Sequence, residues 1–74
     1  MTKNYFWSME SWGNGYPPVN ADDVITEANA IIEAYMTENP EAGEWEVKDF
    51  SDRLWEDFCE TGHIGEVDAI YEDA

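Results

Sequence analysis

Eighteen acidic side chains against three basic ones, in 74 residues, leave a formal charge of −15. No other feature limits the fold of this chain so strongly. A net charge that far from zero destabilises a compact state by self-repulsion. Carboxylates are almost never fully buried unless paired, and Lys3, Lys48 and Arg53 are too few to pair them. The fold must therefore keep its acids on one side of each element and build a core from what remains.

What remains is substantial. The hydrophobic share is 43%, with four tryptophans, four tyrosines and three phenylalanines. That exceeds what an acidic disordered tail carries, since such tails are poor in aromatic and branched residues. One domain spanning 1–74 is expected, burying roughly 60% of the surface that its unfolded chain exposes. Cys59 is the sole cysteine, so an internal disulfide is excluded, which suits a reducing compartment. The stretch Met1–Trp7 has no long apolar signal region, and no apolar run approaches the roughly 20 residues of a membrane span. Without a basic patch, direct binding to nucleic acid or to an anionic membrane surface is not expected.

The pattern along the chain predicts an α+β domain, mostly helical, with a small all-α bundle as the alternative. Residues 4–10 alternate Tyr5, Trp7 and Met9 with their neighbours and read as a short strand. Gly13, Asn14, Gly15, Pro17 and Pro18 then specify a loop over 11–19 that carries Trp12 and Tyr16. From Asn20, a candidate N-cap, a helix is predicted over 21–38. Val24, Ile25, Ala28, Ile31, Ile32, Tyr35 and Met36 fall on one arc of it, while Asp22, Asp23, Glu27, Glu33 and Glu38 fall outside. Pro40 ends it, because helical geometry is disfavoured at Asn39.

Trp45 and Val47 alternate with acids and suggest a second strand over 44–48, able to pair with 4–10. A second helix over 50–61, capped by Asp49 or Ser51, places Phe50, Leu54, Trp55 and Phe58 inward. Its outward residues are Asp49, Asp52, Glu56, Asp57 and Glu60, and Gly62 suits a left-handed C-cap. Val67, Ile70 and Tyr71 keep a helical spacing, compatible with a short terminal helix. Trp45 and Trp55 read as core.

No arrangement of residues points to catalysis. Cys59 lies at the edge of an apolar arc and reads as a small core residue, and His63 reads as a local cap after the helix end. Glu60 and His63 make half of a di-iron bundle pattern, but that site needs a second copy and further Glu-bearing helices. There is no calcium loop of alternating carboxylates. A non-enzyme without cofactor or metal is expected. The acidic arcs remain. Asp52, Glu56 and Glu60 are spaced i, i+4, as are Asp23 and Glu27, an arrangement of like charges that works against helix stability. Duplex phosphates are likewise regular negative charges, about one per 3.4 Å of axis on each strand. Rows of carboxylates could imitate them before a basic partner. Candidate contact residues are Asp22, Asp23, Glu27 and Glu33 on the first helix, with Asp49, Asp52, Glu56, Asp57 and Glu60 on the second. Trp12 and Tyr16 are the candidate aromatic anchors.

In size, charge, aromatic content and acid-covered helices, the chain resembles the small acidic DNA-mimic proteins of bacteriophages, including anti-CRISPR proteins. That resemblance implies a non-catalytic inhibitor in the cytoplasm of a bacterial host cell. It would occupy the basic DNA- or RNA-binding surface of a defence complex, a CRISPR effector above all. Two other functions fit the same composition: an immunity-type inhibitor of a basic nuclease toxin, and an acidic regulatory or interaction module without mimicry.

Overall fold

A computed structural model of the chain describes residues 7–13 and 15–72. Two helices dominate, α1 (Ala21–Glu38) and α2 (Glu44–Thr61), followed by a small antiparallel hairpin of β1 (His63–Ile64) and β2 (Val67–Asp68). A single 3-10 turn, Met9–Trp12, precedes them. The fold is α+β and mostly helical, with one domain core.

Helix α1 has the bounds that its pattern predicts. Asp22 and Asp23 lie in its first turn, where the helix dipole favours negative charge. It ends at Glu38, and both the backbone N–H and the side-chain Nδ2 of Asn39 donate to the Tyr35 carbonyl, satisfying a terminal acceptor. Its buried stripe of Ala21, Val24, Ala28 and Ile32 repeats at three- and four-residue steps. Val24, Ala28 and Ile32 have no solvent exposure.

Helix α2 begins earlier than the sequence suggests, and the strand expected over 44–48 does not form. Gly43 precedes the first turn, and the Glu46 carboxylate reaches back to accept the Gly43 N–H at 2.9 Å. That is one half of a capping box, and Glu44 and Glu46 also suit the positive end of the helix. The alternation of Trp45 and Val47 was compatible with either structure. Val47 decides it, because at 3% exposure it opens the buried series that continues through Phe50, Ser51, Leu54 and Phe58. Asp49 and Ser51 therefore lie inside the helix and cap nothing. The C-terminus does follow expectation: Gly62 adopts φ +81°, and its N–H closes on the Phe58 carbonyl at 2.7 Å.

The two helices run antiparallel. Tyr35, near the end of α1, stacks on Phe50, near the start of α2, with ring centroids 4.2 Å apart. At the opposite end, the hairpin that follows α2 lies beside Asn20 and Glu27 of α1.

Both outer segments depart from the predicted elements. Among the described residues of the expected strand 4–10, Trp7 and Ser8 are irregular and Met9 and Glu10 enter the 3-10 turn; residues 4–6 lie outside the described part. The terminal helix expected after Gly65 is replaced by β2 and an irregular run to Glu72. Gly65, at φ +56°, occupies the first central position of the two-residue turn between Ile64 and Val67, where a type II′ hairpin requires glycine. Ile64 is thereby delivered into the core at 3% exposure.

Trp7 completes that core from outside the helices. It is 5% exposed and makes edge-to-face contact with Trp55 at 4.8 Å and with Phe58 at 5.7 Å. Its indole N–H donates to Ser51 Oγ at 3.2 Å, which accounts for a buried serine among apolar side chains. Burying a ring system this large supplies apolar area that a small domain otherwise lacks.

Candidate partner-binding surface

The core stripes dictate where the acids go. On α2, Val47, Ser51 and Phe58 are buried. At 100° per residue, Asp49, Asp52, Glu56 and Glu60 fall within about 40° of the direction opposite Val47. All four are exposed, so the structure brings them together as one outward strip. Asp57 is also exposed but sits to one side, about 80° from Val47. Successive carboxylates of the row Asp52, Glu56, Glu60 are separated by about 6 Å of helix rise.

Basic side chains neutralise only the first half of this strip. Lys48 Nζ lies 3.6 Å from Asp52, and Arg53 Nε lies 3.2 Å from Asp49. Both are i, i+4 pairs with well-exposed side chains, each contributing about 0.3–0.5 kcal/mol. Among the described residues, the carboxylates in the C-terminal half of α2 form no ion pair.

The first helix divides its candidates. Asp22 and Glu33 are exposed on the arc opposite Val24, and Asp23 is exposed on a flank. Glu27 is half-buried, with its carboxylate lying over the Gly65 turn, where a Cβ at residue 65 would meet it. Glu27 thus has a structural neighbour within the chain, unlike Asp22 and Glu33. Because α1 and α2 turn their apolar stripes toward one core, their acidic arcs diverge into separate strips.

The aromatic candidates also separate. Trp12 is half-buried and packs edge-on against Trp55 at 5.2 Å, so it belongs to the core border and is no free anchor. Tyr16 is 89% exposed in the loop after the 3-10 turn. Two side chains read from sequence as core lie on the surface instead. Trp45 is 80% exposed, because helix α2 already includes residue 45 and rotates it about 160° from Val47. Cys59 is exposed for a similar reason, lying about 120° from Val47. His63 is an exposed β1 residue, and the helix-closing role expected of it is taken by Gly62.

Two open depressions accompany these surfaces. One, of about 460 Å³, runs over Thr26, Asn29, Ala30 and Glu33 on α1. The other, of about 300 Å³, lies between Tyr35, Glu46, Asp49, Phe50 and Arg53. Neither lining contains cysteine, serine or histidine. Among the described residues, no group of three or more His, Cys, Asp or Glu side chains is placed to hold a metal ion, and no helix is long and apolar enough to cross a membrane. No family model, curated protein or solved structure matches this chain.

Proposed function

We propose that this protein is a non-catalytic inhibitor that presents the outer face of α2, in place of a nucleic-acid backbone, to a basic nucleic-acid-binding protein. The observation that carries the reading is the exposed row Asp52, Glu56 and Glu60, whose last two members form no ion pair among the described residues. Its step of about 6 Å is close to two phosphate intervals of about 3.4 Å along one strand. The row stands on a helix fixed by a complete apolar face, so its spacing is set before a partner arrives. Charge of one sign would also steer encounter, which raises association rates at low salt. Inhibition would be steric: the occupied basic groove could not take up its nucleic acid. The resemblance to acidic phage proteins makes a CRISPR effector the leading class of target.

The test is retention of bacterial proteins on the immobilised chain, in parallel with the Asp52→Lys/Glu56→Lys/Glu60→Lys variant checked for folding by circular dichroism. The reading requires nucleic-acid-binding proteins to be held at low salt, released by added duplex DNA and lost on the variant. Retained proteins indifferent to both DNA and the charge reversal would remove mimicry. Capture of a basic nuclease toxin alone would replace the defence-complex target with an immunity-type one.

A further inference from the structure

We infer that Trp45 is an arginine-stacking anchor on the acidic strip of α2, so that the surface it fits presents arginine and not merely positive charge. The inference rests on the basic-partner reading above and adds to it a chemical preference. Its starting observation is independent of the acids. Trp45 is 80% exposed, the most exposed tryptophan among the described residues, while the apolar face of its own helix is complete without it. A tryptophan that supplies no core area is a poor choice for stability and a good one for an interface, where Trp and Arg are the enriched contacts.

Its neighbours select the occupant. Trp45 shares its arc with Asp49 at i+4 and with Asp52 and Glu56 further along, all exposed. Asp49 and Asp52 already face Arg53 and Lys48, but in solvent-exposed i, i+4 pairs weak enough to be exchanged for an incoming guanidinium. An indole face attracts a guanidinium stacked flat upon it, and the adjacent carboxylates offer the fork that guanidinium N–H groups match in pairs. Lysine, a compact point charge, gains the Coulomb attraction without the planar stacking. Bases of a nucleic acid could stack on the same ring, but their phosphates would meet a chain of formal charge −15. A second copy of this strip, or an anionic lipid surface, is repelled by the same charge. An apolar partner would have to desolvate the carboxylates around the ring.

The experiment titrates the intact chain with deca-arginine and with deca-lysine by calorimetry at low salt, for the wild type and Trp45→Ala. The exposed ring can be removed without opening the core, and circular dichroism verifies that. The wild type should prefer the arginine peptide by about two- to fivefold, the range of an exposed cation–π contact. Trp45→Ala should remove most of the difference by weakening arginine binding more than lysine binding, and Trp45→Phe should restore part of it. Equal binding of both peptides to the wild type, or an arginine preference that survives Trp45→Ala, overturns the anchor while leaving the basic-partner reading in place. Failure of both peptides to bind, or undiminished binding of both to the Asp52→Lys/Glu56→Lys/Glu60→Lys variant, overturns the acidic-strip reading and the anchor with it.

Discussion

The side-chain amide of Asn29 holds both backbone groups of Trp7: Oδ1 accepts the Trp7 N–H at 2.7 Å, and Nδ2 donates to the Trp7 carbonyl at 3.1 Å. A side chain of α1 thus satisfies a segment that has no strand to pair with. Asn20 does the same for the other end of the chain. Its Nδ2 donates to the Asp68 carbonyl at 2.8 Å, and its Oδ1 accepts the Ile70 N–H at 3.0 Å. Two asparagines, one just before α1 and one within it, fasten the segments on either side of the helical hairpin.

Asn29→Ala should therefore cost about 1–3 kcal/mol, because the part-buried N–H and carbonyl of Trp7 both lose their partner. Asn29→Asp keeps the acceptor, removes the donor and aims a carboxylate at the Trp7 carbonyl, so it should also destabilise. Urea unfolding followed by circular dichroism gives both values. An Asn29→Ala midpoint equal to that of the wild type would show that water replaces the amide at no cost.

Trp7 and Ser51 offer a second measurement. The indole N–H donates to a buried hydroxyl that has no other apparent purpose in the core. Ser51→Ala leaves that donor without a partner and should cost about 1–3 kcal/mol. Trp7→Phe removes the donor along with part of the ring, so Ser51→Ala should cost less in that background, by about 0.5–1.5 kcal/mol. Additive single costs would mean that the bond contributes nothing. Trp7→Ala is the severe case. Its expected cost of about 3–5 kcal/mol compares with a total stability of about 4–11 kcal/mol for a domain of this length, so the urea midpoint should fall by roughly a quarter or more.

These contacts show where the sequence was legible. Helix α1 could be read because Val24, Ala28 and Ile32 make an unbroken stripe and Pro40 stops it. The start of α2 was ambiguous over five residues, since the order Glu44, Trp45, Glu46, Val47, Lys48 fits a period of two until the next turn is counted. The hairpin at 63–68 was signalled by Gly65 alone, and Val67, Ile70 and Tyr71 carried a competing helical spacing. Asp52, Glu56 and Glu60 read as outward because any helix over 50–61 turns them away from the core, whereas Asp57, read on the same arc, sits to one side. Trp45 was misplaced by the same early error that made residues 44–48 a strand. Asn20 reads only as a helix cap, yet its side chain makes no cap hydrogen bond, and the fastening roles of Asn20 and Asn29 have no local signature. Their partners are backbone groups far along the chain, and nothing in local pattern announces a side chain that substitutes for a neighbouring strand.

Gly65 tests the hairpin. Alanine there must adopt φ near +56° and brings its Cβ against the Glu27 carboxylate. The backbone term is about 1–2 kcal/mol, whereas the carboxylate ends a flexible side chain that can swing into water. The first effect should dominate. Gly65→Ala should destabilise by about 1–2 kcal/mol, and by nearly the same amount in a Glu27→Ala background. Full recovery in the double variant would reverse that ranking and make the carboxylate contact the cause.

Ionic strength separates the fold from its proposed use. The two ion pairs of α2 are exposed, and screening them removes at most about 0.5 kcal/mol each. Against this stands the mutual repulsion of eighteen acidic groups, compensated by three cations. Raising NaCl from about 0.01 M to 0.5 M shortens the screening length from roughly 30 Å to a few Å, which relieves repulsion between neighbouring elements. Repulsion should win, so thermal melts should move upward by several degrees, about 4–8 °C for each kcal/mol gained. Binding to a basic partner should weaken over the same range, since screening acts on attraction as well. A protein that grows more stable while its association fades carries its charge for the partner and bears the cost in the fold. A melting temperature that falls with NaCl would instead make the Lys48–Asp52 and Asp49–Arg53 pairs the dominant electrostatic term, and the self-repulsion account would have to be abandoned.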